Sequence, residues 1–381
     1  MRVAINLLTD DPAHPSGAHW FWTRIIPEMA KRLTEDEELH LLVSPTMRPL
    51  HEGYGPGVHY ITFPWSNERR WPRTLSEHLY APVRLPRSKI DVFNTLLAPI
   101  VKPAPGLVAH IKTLHAYTTP GAIGLPARVY RRLSYPRTVR AADAIVINSQ
   151  SLKSELLTYL DVDESKLRMI TEGVDHERFR PGDPDEAWDH LRSRYGVDGP
   201  FVLFVSSLWQ YKNCHGLIEA FAQAKPKLGD VRLVVVGAGR DEEYVRRLHE
   251  LADRLGVSDD LIWIGPVTQA ETVWFYRCAE AFAYPSFNET FGLPILESMA
   301  TGCPVITSNV TAMPETAGDA ALLVDPHSPE SIADALIQAC GPQQQRLRDL
   351  GFAHAAKFTW ESTAEQTLQV YREVYANRRS R

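Results

Sequence analysis

Short apolar runs alternate with amphipathic helical stretches along almost the whole chain, and this alternation restricts the fold more than any single motif. The runs Val3–Leu8 (VAINLL), Pro200–Ser206 (PFVLFVS) and Arg232–Gly237 (RLVVVG) are apolar at nearly every position. A strand hidden on both faces belongs to a parallel sheet, because crossover helices cover both sides. Further strands are predicted at His40–Ser44, His59–Phe63, Asp91–Asn94, Leu107–Thr113 and Ala144–Asn148, with helices over about 18–32, 128–141 and 151–160. A second set follows, with strands at Leu261–Gly265, Ala281–Pro285, Pro304–Thr307 and Ala320–Val324. Its helices are predicted at Asn213–Gln223, Asp241–Leu255, Gln269–Ala279 and Leu293–Thr301, and three more over 328–340, 342–356 and 361–376.

The chain has 381 residues, too many for one ordinary core, so two domains of roughly 150–200 residues are expected. The stretch Thr171–Ala187 is polar, with two prolines and two glycines, and reads as the linker between them. The predicted domains are 1–180 and 181–360, both doubly wound and Rossmann-like, facing across a cleft. Loops and helix N-termini gather at the C-terminal ends of such strands, where a nucleotide is expected.

Composition narrows the class. No apolar run reaches the ~18 residues of a membrane span, and the N-terminus MRVAINLLTDD turns acidic too early for a signal peptide. Cys214, Cys278, Cys303 and Cys340 form no CxxC pair, which suits a reduced cytoplasm and small apolar fillers rather than a zinc site. Net charge is −5, yet residues 41–140 hold 14 Lys/Arg against 4 Asp/Glu. That block is either a solvated surface or a peripheral contact with anionic lipid on the inner membrane face; no nucleic-acid partner is expected.

The richest stretch is YPSFNETFGLPILESMA, Tyr284–Ala300. A strand ends at Pro285, a loop carries Glu289 and Gly292, and a helix opens at Leu293 or Pro294 and carries Glu297. Proline is favoured in a first helical turn, where its missing N–H costs nothing. The N–H groups of Phe291, Gly292 and Leu293 at such a helix start make a cradle for phosphate. Glu289 can accept hydrogen bonds from sugar hydroxyls, and Glu297, a turn into the helix, can hold two vicinal ribose hydroxyls. Lys212, in SSLWQYKN just after a strand, is placed to neutralise a diphosphate. GAGRDE (Gly237–Glu242) starts like a dinucleotide fingerprint but has Glu242 where the third glycine belongs, so a dehydrogenase is set aside.

The spacing E-x7-E within SFNETFGLPILESMATGCPVITSN, followed by PETAGDAALLVDP, resembles the signature of retaining nucleotide-sugar glycosyltransferases of family 4, which have the GT-B fold. The resemblance implies a donor-binding C-terminal domain, with Glu289 on the transferred sugar and Glu297 on the ribose. It implies a lysine at Lys212, often partnered by an arginine where this chain has Ser207. WIGPVT resembles the loop that receives the base through main-chain atoms, here Pro266 and Val267. Gly17 in HPSGAHWFWTRI matches a glycine that lets acceptor or phosphate approach. His115 in KTLHAYTTP matches a histidine near the transferred sugar, although the aspartate that often follows is Ala116. His19, Trp20 and Trp22 are candidates for the acceptor side or, as aromatics at such spacing more often are, for a helix core, and Ser149 or Ser151 for a helix cap.

The implied reaction moves a hexose from a GDP- or UDP-sugar, mannose favoured, to a glycan, glycolipid or metabolite hydroxyl. His115, Lys212 and Glu289 are the catalytic set, and no metal or other cofactor is expected. The terminal helix, 361–381, is expected to cross back onto the first domain, as in similar enzymes. A silent nucleotide-sugar-binding subunit and a nucleotide-sugar epimerase of the same architecture remain as alternatives.

Overall fold

The computed structural model describes every residue except 9–16, 64–75, 100–104, 120, 122, 240 and 381. Arg69, Arg70, Arg73 and Lys102 of the basic block, Arg240 of GAGRDE, and the HPS before Gly17 therefore lie outside the described residues. The described chain divides into two compact units, Met1–Gly173 with Trp360–Arg381, and Val174–Thr359.

The first unit holds a parallel sheet of seven strands: β1 (Arg2–Asn6), β2 (Glu38–Val43), β3 (Val58–Thr62), β4 (Val92–Thr95), β5 (Gly106–His110), β6 (Ala144–Ile147) and β7 (Leu167–Met169). Their spatial order is β3-β2-β1-β4-β5-β6-β7, so the winding direction reverses between β1 and β4. β4, β5 and β6 are buried at every position, as strands covered on both faces must be. The long terminal helix, Trp360–Arg379, packs in this unit. Trp360, Ala364, Leu368, Tyr371 and Val374 enter the same core as Val3, Ile5 and Phe21. A Cβ at Gly106 would meet Val374 Cγ1 at 2.5 Å, so that glycine lets the helix lie close on β5. Arg372 of the helix pairs with Glu37 at 2.8 Å.

The second unit holds β8 (Phe201–Val205), β9 (Arg232–Val236), β10 (Leu261–Gly265), β11 (Ala281–Tyr284), β12 (Val305–Ser308) and β13 (Ala321–Val324), all parallel, in the order β10-β9-β8-β11-β12-β13. Here the reversal falls between β8 and β11. Parallel strands with right-handed crossovers leave the two loops at such a reversal splayed to opposite faces, which opens a crevice at the strand ends.

Several boundaries differ from the periodicity. The polar stretch read as a linker to Ala187 joins the second unit from Val174 onward, where Val174 bridges Thr359, and it turns helical at Pro184. Asp183 caps that helix by accepting the N–H of Asp185, and Pro184 takes the first turn. The helix expected to stop at Gln223 runs from Cys214 to Leu228 with Pro226 inside it, because Ala224 and Leu228 still face the core. β7 was too short and half-exposed to register as a strand.

Candidate functional site

The loops after β8 and β11 meet at the reversal of the second sheet, and one side chain fastens them. After β8 the chain passes through Ser206–Trp209 and a single turn, Gln210–Lys212, to Asn213. Asn213 sits at φ 60°, a left-handed conformation that asparagine tolerates because its short amide bonds locally. Its Oδ1 accepts the N–H of Gly216 and caps the helix Cys214–Leu228. Its Nδ2 donates to the carbonyls of Pro285 (3.0 Å), just past β11, and Pro326 (2.7 Å), just past β13.

Lys212, directly before this anchor, is thereby aimed at the loop after β11. Its Nζ lies 2.5 Å from Glu289 Oε1 and donates to Tyr284 Oη at 2.8 Å. Lys212 is 8% exposed. Burial alone would lower its pKa, but the Glu289 carboxylate, aided by Tyr284 and Tyr211, outweighs it and raises the pKa. The ammonium therefore stays charged at neutral pH. Burial, followed by Glu289, pushes the Tyr284 hydroxyl up, so the phenol stays neutral.

Glu289 is fixed through its backbone. Its N–H donates to Thr311 Oγ1 at 3.1 Å and its carbonyl accepts from Ala312 N. Thr311 has φ 56°, a costly conformation for a β-branched residue, held where the chain must present that hydroxyl to Glu289. The N–H of Phe287 donates to Tyr211 O at 2.8 Å, tying the Glu289 loop to the Lys212 turn.

The helix Leu293–Thr301 starts four residues after Glu289. Gly292 is its N-cap at φ 94°, and a Cβ there would press on Ile295 Cδ1 at 3.0 Å. Pro294 occupies the first turn. Among the described residues, no protein acceptor takes the N–H of Phe291, Gly292 or Leu293. Thr316 Oγ1 donates to the Phe291 carbonyl, so the PETAGDA segment braces the turn from behind.

Glu297 lies inside this helix and is 7% exposed. Gln269 Nε2 donates to its Oε1 at 2.9 Å, and the Tyr276 hydroxyl stands 3.5 Å from its Oε2. Arg178 Nη1 in turn donates to Gln269 Oε1 at 3.2 Å. Gln269 opens the helix that follows WIGPVT, so the Glu297 carboxylate is tied to the Pro266–Val267 loop. In that loop Pro266 is exposed, Val267 is half-buried against the core, and Gly265 has φ 79° at a register shift in β10. Beside it lies a cavity of about 300 Å3, lined among others by Leu208, Gly237, His249, Trp263 and Pro266. Gly237 is required by packing, since a Cβ would fall 1.8 Å from the Ser206 carbonyl. Ser207 is exposed, two residues past β8.

The structure thus brings Lys212 and Glu289 together, with Phe291–Leu293 and Glu297 on the adjoining turn and helix. Gly17 and His115 belong to the first unit. Gly17 opens the helix Gly17–Ala30 after β1, and His115 opens the one-turn helix His115–Thr118 after β5. Of the aromatic candidates, Trp22 packs in the core against Phe21 and His110, His19 is buried and Trp20 is half-buried. That helix turns Phe21, Trp22, Ile25, Ile26 and Met29 into the core, and the aromatic spacing follows its buried face. Ser149 is the cap of the helix Gln150–Tyr159, accepting the N–H of Leu152 at 3.1 Å. All four cysteines are free thiols. Sequence reasoning missed Asn213, Tyr284, Thr311, Gln269 and Arg178 as site-builders, although the glutamine two residues beyond Val267 was a usable signal.

With two doubly wound parallel units and these strand ends, the architecture is that of the GT-B class, and solved structures agree over the full chain. A sucrose-phosphate synthase from Thermosynechococcus elongatus superposes with a TM-score of 0.77 at 19% identity, covering 99% of both chains. Anabaena HepE in complex with UDP and glucose gives 0.71 at 20% identity, covering 98% of this chain and 100% of that one. The family model for glycosyl transferases group 1 matches residues 191–349, and that for glycosyltransferase family 4 matches residues 23–178. The chain belongs to this group 1 and family 4 lineage of glycosyltransferases. Curated relatives include D-inositol 3-phosphate glycosyltransferases from Corynebacterium urealyticum, 32% identical over 64% of this chain, and Acidothermus cellulolyticus, 34% identical over 71%. The matched stretch spans 60% and 61% of the length of those two relatives.

Proposed function

We propose that the chain transfers a hexose from a nucleoside diphosphate sugar to an acceptor hydroxyl with retention of anomeric configuration. The observation that carries this reading is the ion pair of buried Lys212 with part-buried Glu289 at the β8/β11 reversal, beside the open N-terminus of the helix Leu293–Thr301. A diphosphate laid on Phe291–Leu293 meets N–H groups already oriented and the positive end of the helix. Lys212 is a charged donor held in a desolvated place, where it acts most strongly as negative charge builds on the leaving diphosphate. Glu289 accepts hydrogen bonds from the transferred sugar, and Glu297 binds the ribose hydroxyls. The base is received at Pro266 and Val267, with the neighbouring cavity giving it room. The departing phosphate oxygen takes the acceptor's proton on the face it leaves, and His115 orients the sugar. The scheme assigns no step to a metal ion.

The donor candidates are UDP-hexose and GDP-mannose. The Anabaena structures holding UDP or UDP-glucose support the uridine arm, and the FNETFGLP string supports the mannose one. Curated relatives named for D-inositol 3-phosphate support a phosphorylated polyol as the first acceptor to try. The test is a thermal-shift screen with UDP, GDP, ADP and dTDP, followed by transfer assays with the matching sugars. One nucleotide should raise the melting temperature of the wild type, by mass action on the folded state. A shift with Glu289→Ala equal to wild type, alongside undiminished transfer, would overturn the site assignment.

A further inference from the structure

We infer that the helix Leu125–Ala141 of the first unit is a docking face for the anionic surface of a lipid bilayer. Between Val92 and Ala142 the sequence contains no aspartate or glutamate, and this helix alone carries Arg128, Arg131, Arg132, Arg137 and Arg140. Among the described residues none of these guanidiniums is in an ion pair. Arg132 Nε and Arg137 Nη2 instead donate to the backbone carbonyls of Ala116 and Ala98, at 2.9 and 2.8 Å. These neutral acceptors hold the side chains in place without cancelling their charge. Arg132, Arg137 and Arg140 surround a hollow of about 530 Å3, with Leu133 at its edge. Three cations around one open hollow fit a phosphate headgroup.

The apolar part of the face is as distinct as the charge. Leu125, Val129 and Leu133 recur at every fourth position and are 61%, 49% and 72% exposed. The neighbouring segment adds exposed Leu79 and Val83 beside Arg84, Arg87 and Lys89. It is joined to the helix through the contact of His78 with Tyr130. Exposed leucine flanked by arginine is unfavourable in water but suited to the bilayer boundary. There the aliphatic groups enter the acyl region while the guanidiniums meet headgroup phosphates. The excess of cations over acids selects an anionic surface. The described helices include none long and apolar enough to cross a membrane.

The test is co-sedimentation of the full chain with vesicles of phosphatidylcholine alone, and with about a third phosphatidylglycerol, at low and high salt. The wild type should bind the anionic vesicles, release them in high salt and ignore the neutral ones. Replacing Arg132, Arg137 and Arg140 together by glutamine should weaken partitioning about a hundredfold, at about fivefold per cation. Leu133→Ser should weaken it about tenfold with an unchanged melting temperature, since the side chain has no core to leave. Failure of the wild type to sediment with anionic vesicles at low salt would overturn the proposal, as would full retention by the triple variant. A dimer, or an oligonucleotide complex, that these substitutions abolish while vesicle binding persists would also overturn it, by assigning the face to another partner.

Discussion

The two units share one strand order around their reversal points, β2-β1-β4-β5 and β9-β8-β11-β12, yet they treat the strand ends oppositely. In the first unit the ends of β1 and β4 are pinned by a neutral pair: Asn6 Nδ2 donates to Thr95 Oγ1 at 3.1 Å, while Asn6 Oδ1 takes the N–H of Leu8. In the second the loops beyond β8 and β11 carry Lys212 against Glu289. A neutral polar pair joins two strand ends at a small desolvation cost. A buried ion pair keeps charge in a desolvated spot, at the cost of stripping water from both groups, which repays only when a ligand exploits it. The sheet supplies the place, and the side chains on two loops decide whether it is a joint or a site.

The largest expected effect breaks this comparison at its charged half. On the proposed reading, in which both side chains act on one sugar diphosphate, Lys212→Ala and Glu289→Ala should each lower transfer about 10²–10³-fold, and the double variant little further. Asn6→Ala, the matching change in the first unit, should cost about 1–2 kcal/mol of stability and leave donor affinity alone. If Asn6→Ala abolished donor binding instead, the contrast between the units would fail.

Gly292→Ala comes next. A side chain at φ 94°, pressed on Ile295, should shift the turn that presents the three N–H groups and weaken donor binding about tenfold in calorimetry. Gln269→Leu should be milder. It frees Glu297 from its donor, so the KM for donor should rise severalfold with kcat nearly kept, whereas equal loss of both would give Gln269 a different role.

The smallest effect concerns acid. Hydrogen bonding to Arg372, outweighing partial burial, holds the Glu37 carboxyl down at about 2. Its stabilisation is complete above the ordinary carboxylate range and is lost as pH falls from about 4.5 toward 2, on the order of 2 kcal/mol in all. Burial, with a smaller contribution from His19, lowers His51 to about 4, so stability is also lost between about 6.5 and 4 as the unfolded chain takes up the proton first. Melting curves of wild type and Glu37→Gln should converge near pH 2. A constant gap between them would show that the Arg372 contact is not electrostatic.

Much of this was legible in the chain because it is local. Strand period, the proline at the helix start, Gly292 and the spacing from Glu289 to Glu297 all lie within one stretch of sequence, and steric rules act there directly. Ser149 as a cap was equally local. The aromatic cluster at His19–Trp22 left two readings open because the same spacing describes a buried face and an exposed one, and only the packing partners place Phe21 and Trp22 in the core.

The sequence alone determined the doubly wound architecture, the glycine–proline helix start and the identity of the charged residues, since propensity, periodicity and turn chemistry need no distant partner. Only the tertiary structure decided that Lys212 meets Glu289 across 77 residues, that Asn213 reaches Pro326 across 113, and that Glu297 is steered by Gln269. Parallel strands far apart in the chain become neighbours through the sheet order, and hydrogen bonds falling steeply with distance and angle form only after that order has set them.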